Sequence, residues 1–106
     1  MNFIELGRTG QKVSEFGFGG IPIIRLGRDD AVELVRQCYD LGITFFDTAR
    51  MYGDSEKKIG LALEPVREKV VIATKSLARD AEKASLDISL SLKKLRSTFI
   101  DLYQIH

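Results

Sequence analysis

A chain of 106 residues, 44% hydrophobic and 29% charged, with nine glycines and two prolines, has the composition of one ordinary globular domain, which excludes collagenous, disordered and disulfide-stapled architectures. Its 16 basic and 15 acidic residues leave a formal charge of +1 with the signs intermixed, so there is no positive stripe for nucleic acid or acidic lipid. The single cysteine, Cys38, cannot close an internal disulfide or build a metal site alone, Met1–Glu5 lacks the pattern of a secretory signal, and no apolar run approaches the ~20 residues of a membrane span; the expectation is a cytoplasmic protein without a metal.

The chain opens with alternation. Phe3-Ile4-Glu5-Leu6 and Lys12-Val13 flank Gly7-Arg8-Thr9-Gly10, which predicts a β-hairpin. Phe16-Gly17-Phe18-Gly19-Gly20 reads as a short apolar strand entering a glycine turn. A helix is then expected from Asp29 or Asp30, with Asp30 and Glu33 spaced as a capping box. Ala31, Leu34, Val35 and Cys38 mark its buried face, Leu41 lies close to it, and Gly42 ends it. Thr44-Phe45-Phe46 is a short buried strand. Asp54 and Ser55 open a second helix with Ile59, Ala62, Leu63 and Val66 inward and Pro65 near its end.

Lys69–Thr74 is the clearest strand, and its apolar run fits a parallel strand covered on both faces. A third helix is expected over Asp80–Arg96, with a stripe of Ala81, Ala84, Ile88, Leu92 and Leu95, and with Leu86 and Leu90 on nearly the opposite side. Ile100–Ile105 reads as a last strand. A hairpin followed by β-α-β-α-β-α-β with short connections predicts a parallel sheet with right-handed crossovers. Two architectures meet that description, a doubly wound open sheet and a (β/α)8 barrel. A whole barrel takes about 250 residues, so the four strands and three helices read here amount to its first half, with residues 1–106 forming one partial barrel domain.

Barrel active sites gather at the carboxyl ends of the strands. Asp47 follows Phe46, and Tyr52 comes five residues later; Lys75 follows Thr74; His106 follows Ile105. If the strands are neighbours, a carboxylate, a phenol, an ammonium and an imidazole meet on one rim. Those types suit carbonyl reduction. Hydride addition to a carbonyl carbon makes an alkoxide that needs a proton. A phenol is a weak acid in water, with a pKa of about 10, and a neighbouring ammonium favours its ionised form. A carboxylate can hold that ammonium, and an imidazole can orient the carbonyl oxygen. Taken singly, each residue has a structural reading as well: Asp47 as a loop or cap aspartate, Tyr52 as an amphipathic surface tyrosine, Lys75 as a solvated lysine, His106 as a frayed terminal residue. The four types at successive strand ends favour the chemical reading.

The same residues carry a family resemblance. Gly42-Ile43-Thr44-Phe45-Phe46-Asp47-Thr48-Ala49 with Tyr52-Gly53, Ser55-Glu56 and Ile59-Gly60 resembles the first signature of the aldo-keto reductases. Val71-Ile72-Ala73-Thr74-Lys75 resembles their lysine-bearing strand, and Ser91–Leu95 followed by Ile100–His106 their second signature. The opening Leu6–Gly10, Val13-Ser14 and Phe16–Gly20 is similar to the family's hairpin and first strand. The resemblance implies an amino-terminal half of a (β/α)8 TIM barrel, with Asp47, Tyr52, Lys75 and His106 as a catalytic tetrad. It implies NADPH, or NADH, as cofactor, with Asp47, Gly20 and Ile21 near the nicotinamide, and a small carbonyl compound as substrate. No Rossmann fingerprint is needed, and Gly17-Phe18-Gly19-Gly20-Ile21-Pro22 does not complete one. Arg50 is similar to a bacterial and archaeal subset that often carries an iron–sulphur module further along. A half-barrel by itself is expected to be inactive and to self-associate through exposed strand edges. The competing expectation is a non-catalytic binding or regulatory module on the same fold.

Overall fold

The computed structural model describes every residue, 1–106. The predicted hairpin is present: β1 (Phe3–Glu5) and β2 (Lys12–Ser14) pair antiparallel, with Ile4 opposite Val13. Gly7 and Gly10 adopt φ of +57° and +78° in the turn, a region that side chains resist. The hairpin is tied to the rest of the fold by a reciprocal pair of bonds. Ser14 N–H donates to the Thr44 hydroxyl at 3.0 Å, and Thr44 N–H donates to the Ser14 hydroxyl at 2.9 Å.

Four parallel strands form the main sheet in the order β3 (Phe18–Gly19), β4 (Phe45–Asp47), β5 (Val71–Ser76) and β6 (Leu102–Ile105). Every strand lies beside its neighbour in sequence. A doubly wound sheet would reverse its order at a switch point, so the arrangement is that of a (β/α) barrel. The register sets Gly19 beside Asp47, Asp47 beside Ala73, and Lys75 beside Gln104. Side chains alternate across a strand. Phe46 and Ile72 therefore turn toward the helices, into a core with Ala31, Val35, Ile59, Ala62, Leu63 and Leu95. Asp47, Ala73, Lys75 and Gln104 share the opposite face. The crossovers are α1 (Arg28–Asp40), α2 (Ser55–Leu63) and α3 (Ala81–Leu95).

Several sequence expectations need correction. Asp30 is not a cap. Helix α1 starts at Arg28 after an extended Gly27, whose carbonyl accepts from Ala31 N–H at 2.9 Å, and Asp29 and Asp30 fall in the first turn, where the helix dipole favours them. Leu34 and Leu41 are exposed; at about 100° per residue they lie off to one side of the stripe formed by Ala31 and Val35. Val66 packs against the core as expected but lies outside the helix, because α2 gives way to a 3-10 turn (Glu64–Lys69) with Pro65 as its second residue. That turn consumes Lys69, so β5 starts at Val71 and continues to Ser76, and Lys75 stands inside the strand, not after it. The first strand shrinks to Phe18–Gly19 and the last to Leu102–Ile105, where their partners supply ladder bonds. Helix α3 agrees well with expectation: Asp80 caps it by accepting from Lys83 N–H at 2.8 Å, and Arg96 closes it in the left-handed region at φ 53°. Its buried residues are Ser91 and Leu95, whereas Ala81 is exposed.

Gly60 sets the approach of α2 to α3. A Cβ there would stand 2.6 Å from Lys94 O and 2.7 Å from Leu95 Cα, both backbone atoms that cannot swing aside. Alanine would gain about 1 kcal/mol of helix propensity over glycine, but overpacking against rigid backbone costs about 1–3 kcal/mol. The clash wins at these distances. Gly60→Ala is expected to lower stability in urea denaturation by about 1–2 kcal/mol.

Candidate active site

The sheet brings the expected side chains together at its carboxyl edge. Asp47 ends β4, Lys75 is the penultimate residue of β5, and His106 follows β6 directly. Tyr52 comes from the loop between β4 and α2. That loop is pinned by backbone bonds from Thr48 N–H to Ala73 O (2.8 Å) and from Arg50 N–H to Lys75 O (3.0 Å), and is turned by Tyr52 N–H to Ala49 O (3.1 Å).

Lys75 is the hub of the group. Its ammonium donates to Asp47 Oδ2 at 2.8 Å and to Thr48 O at 2.6 Å, and its side chain is 12% exposed. It also lies 4.8 Å from the centroid of the Tyr52 ring, a cation–π contact. A solvated surface lysine would make none of these contacts. The second oxygen of Asp47 accepts from Gln104 Nε2 at 3.1 Å, so β4, β5 and β6 meet on one carboxylate. The Tyr52 and His106 rings meet edge to face, with centroids 5.7 Å apart and planes 86° apart. His106 Nδ1 is buried and has no hydrogen-bond partner, an uncommon condition for an interior nitrogen.

Gly20 is buried beside this group. Its N–H donates to Asp47 O at 2.8 Å, and a Cβ would stand 2.5 Å from Ser55 Oγ and 2.9 Å from Asp47 O. Glycine is required there by close packing. Ile21 follows it and is exposed. Gly19, the register partner of Asp47, has no atom within 4 Å of its Cβ direction, so its backbone is open to a flat group.

Sequence reasoning missed the buried polar residues under the site. Glu56, in the first turn of α2, is 2% exposed. It pairs with Arg50 through Oε1, and through Oε2 it accepts from the Thr74 hydroxyl at 2.8 Å and the Ser91 hydroxyl at 2.5 Å. Lys58 is buried as well, donating to Ile23 O (2.9 Å), Ile24 O (3.2 Å) and Leu26 O (2.7 Å) and pairing with Asp54 at 2.8 Å; it clamps the 3-10 turn (Pro22–Arg25) that follows Gly20 and Ile21. At the other end of the sheet, Arg67 pairs with Asp101 at 2.8 Å and lies over the Phe99 ring at 4.0 Å. The only signal of these roles in the sequence is Glu56 directly after Ser55 in the resembling motif. Two further groups titrate away from their usual values and lie outside the rim. Burial pushes the Cys38 thiol up, as befits a packing residue. Burial also pushes the Tyr103 phenol up, against a smaller lowering from the Ser76 hydroxyl.

Sequential parallel strands with this polar group at their carboxyl ends define the first half of a (β/α) barrel, and the comparison with known proteins names the family. The Aldo/keto reductase family model matches residues 15–106, and the chain belongs to that family. It is 38% identical to L-galactose dehydrogenase of Arabidopsis thaliana over 95% of this chain and 36% of that one, and 34% identical to aldo-keto reductase YhdN of Bacillus subtilis over 100% of this chain and 38% of that one. Among solved structures, an aldo-keto reductase from Bacillus halodurans in its holo form superposes with a TM-score of 0.86 at 31% identity, over 100% of this chain and 40% of that one. An aldo-keto reductase from Klebsiella pneumoniae in complex with NADPH gives a TM-score of 0.83 at 28% identity, over 90% of this chain and 36% of that one. The chain thus spans less than half the length of the relatives it matches. No helix is long and apolar enough to cross a membrane.

Proposed function

We propose that the protein carrying this chain reduces aldehydes or ketones to alcohols with NADPH, NADH being the alternative donor, and that residues 1–106 supply the proton-handling half of its barrel. The observation that carries this reading is the joining of Asp47, Lys75 and Tyr52 by a 2.8 Å ion pair and a 4.8 Å cation–π contact, with His106 at the edge of the same ring. The open backbone of Gly19 beside Asp47 fits a planar nicotinamide, which Asp47, Gly20 and Ile21 would flank. When bound, the nicotinamide supplies the hydride.

The chain's own residues do the rest. Tyr52 donates its phenolic proton to the oxygen as the carbonyl becomes an alkoxide. The Lys75 ammonium stabilises the phenolate left behind, and Asp47 keeps that ammonium in place. The His106 imidazole, edge to face with the Tyr52 ring, stands close enough to the phenol to orient the carbonyl oxygen. Substrate identity belongs to loops outside this chain. The test is the decay of NADPH absorbance on adding a small aromatic aldehyde to the protein containing the rest of the barrel. Steady decay matched by alcohol formation supports the reading. Tight NADPH binding without turnover would favour a regulatory module on the same fold.

A further inference from the structure

We propose that Glu56 is a positioning residue for the reaction, locking the loop that carries Tyr52 to the strand that carries Lys75; this inference rests on the function proposed above.

The proton donor and its cation come from different kinds of structure. Lys75 sits in a strand fixed by ladder bonds on both sides. Tyr52 sits in a loop, and loops hold side chains less firmly than strands do. Backbone bonds from Thr48 and Arg50 attach the start of that loop to β5, but Tyr52 itself makes only local backbone bonds, its N–H donating to Ala49 O at 3.1 Å and its carbonyl accepting from Ser55 N–H at the start of α2 at 2.9 Å. Lys75 Nζ also reaches the start of the loop at Thr48 O (2.6 Å), and a second side-chain link comes through Arg50, two residues before Tyr52. Its guanidinium leaves the loop and pairs with Glu56.

Glu56 then joins three further elements. It belongs to α2; its other oxygen takes the hydroxyl of Thr74, the residue before Lys75 in β5, and the hydroxyl of Ser91 in α3. Thr74 and Lys75 point to opposite faces of the strand, so the carboxylate lies beneath the sheet while the proton-handling group lies above it. One buried carboxylate thereby fixes the Tyr52 loop relative to the Lys75 strand and touches neither substrate nor cofactor. The choice of residue types follows. A neutral side chain could satisfy two hydroxyls, whereas a carboxylate also forms a charge-assisted pair with the guanidinium of Arg50.

The experiment is a double-mutant cycle between Glu56 and Tyr52 in the protein containing the whole barrel, using Glu56→Gln and Tyr52→Phe. Glutamine keeps the volume and can still accept from Thr74 and Ser91. Turnover is read from NADPH absorbance with 4-nitrobenzaldehyde, and NADPH affinity from fluorescence. Misplacement of reacting groups by about 1 Å can cost up to about a hundredfold, so Glu56→Gln is expected to lower kcat about tenfold to a hundredfold with NADPH affinity unchanged. In the Tyr52→Phe background the same change is expected to cost nothing further, because there is no hydroxyl left to place. Equal losses in both backgrounds, or a Glu56→Gln protein as fast as the parent, would overturn the inference. If Glu56→Gln does not fold, Arg50→Met cuts the same link from the loop side and is judged by the same cycle. A Tyr52→Phe protein with unchanged kcat would instead refute the proposed function itself, so the two failures are told apart.

Discussion

Tyr52→Phe is expected to lower kcat for carbonyl reduction by about 10²–10⁴-fold, the usual worth of a positioned general acid, while NADPH affinity stays within about twofold. The substitution removes one oxygen and leaves the ring. The ring's packing against His106 and its contact with the Lys75 ammonium are retained, since both involve the aromatic system. Tyr52 is half-buried, so losing its hydroxyl opens no cavity in the core. The loss would therefore fall on the transition state, where the alkoxide needs its proton, and on kcat together with kcat/KM. A fall in NADPH affinity with kcat intact would mean that the residue binds cofactor and donates no proton.

Residues 1–106 alone are expected to show no measurable NADPH oxidation and to self-associate. β3 and β6 are each paired on one side only, so both flanks of the sheet present unsatisfied backbone groups. Ile105 on β6 is 87% exposed and Leu86 on α3 is 61% exposed, with Leu90 close by on the same helix. Apolar surface beside an open strand edge favours association with a second chain. Catalysis would suffer separately. The face that carries Asp47 and Lys75 has no opposing strands, so water reaches the place where a hydride must be delivered. Sedimentation velocity and an absorbance assay check the two parts. A monodisperse, active 106-residue monomer would show that the other half of the barrel is dispensable.

How much of this was legible in the sequence depended on the kind of residue. The strands and helices announced themselves through local chemistry: the Asp80 cap, the Gly42 stop at φ +105° and the apolar run at Val70–Thr74 each act over a few residues. Asp47, Lys75 and His106 were legible because strand ends are where barrels expose side chains. Boundaries were not, since the winding of Glu64–Lys69 and the pairing of β5 with β6 are tertiary outcomes. The buried charges were the least legible. Glu33 and Glu56 are both glutamates in the first two turns of amphipathic helices. One is exposed and accepts a bond from Gln37; the other is buried beneath the sheet and anchors three elements. Charged residues are almost never fully buried unless paired, and the partners of Glu56 lie 6, 18 and 35 residues away. No local pattern distinguishes the two.

The chemistry proposed for this rim is hydride transfer to a carbonyl carbon with proton delivery to its oxygen. NADPH carrying deuterium at the transferable position of C4, incubated with an aromatic aldehyde and the protein containing the whole barrel, tests it directly. The expected product is an alcohol with one deuterium on the former carbonyl carbon, formed in step with cofactor oxidation. Cofactor that binds while the aldehyde is recovered unchanged, or alcohol without deuterium on carbon, would contradict it.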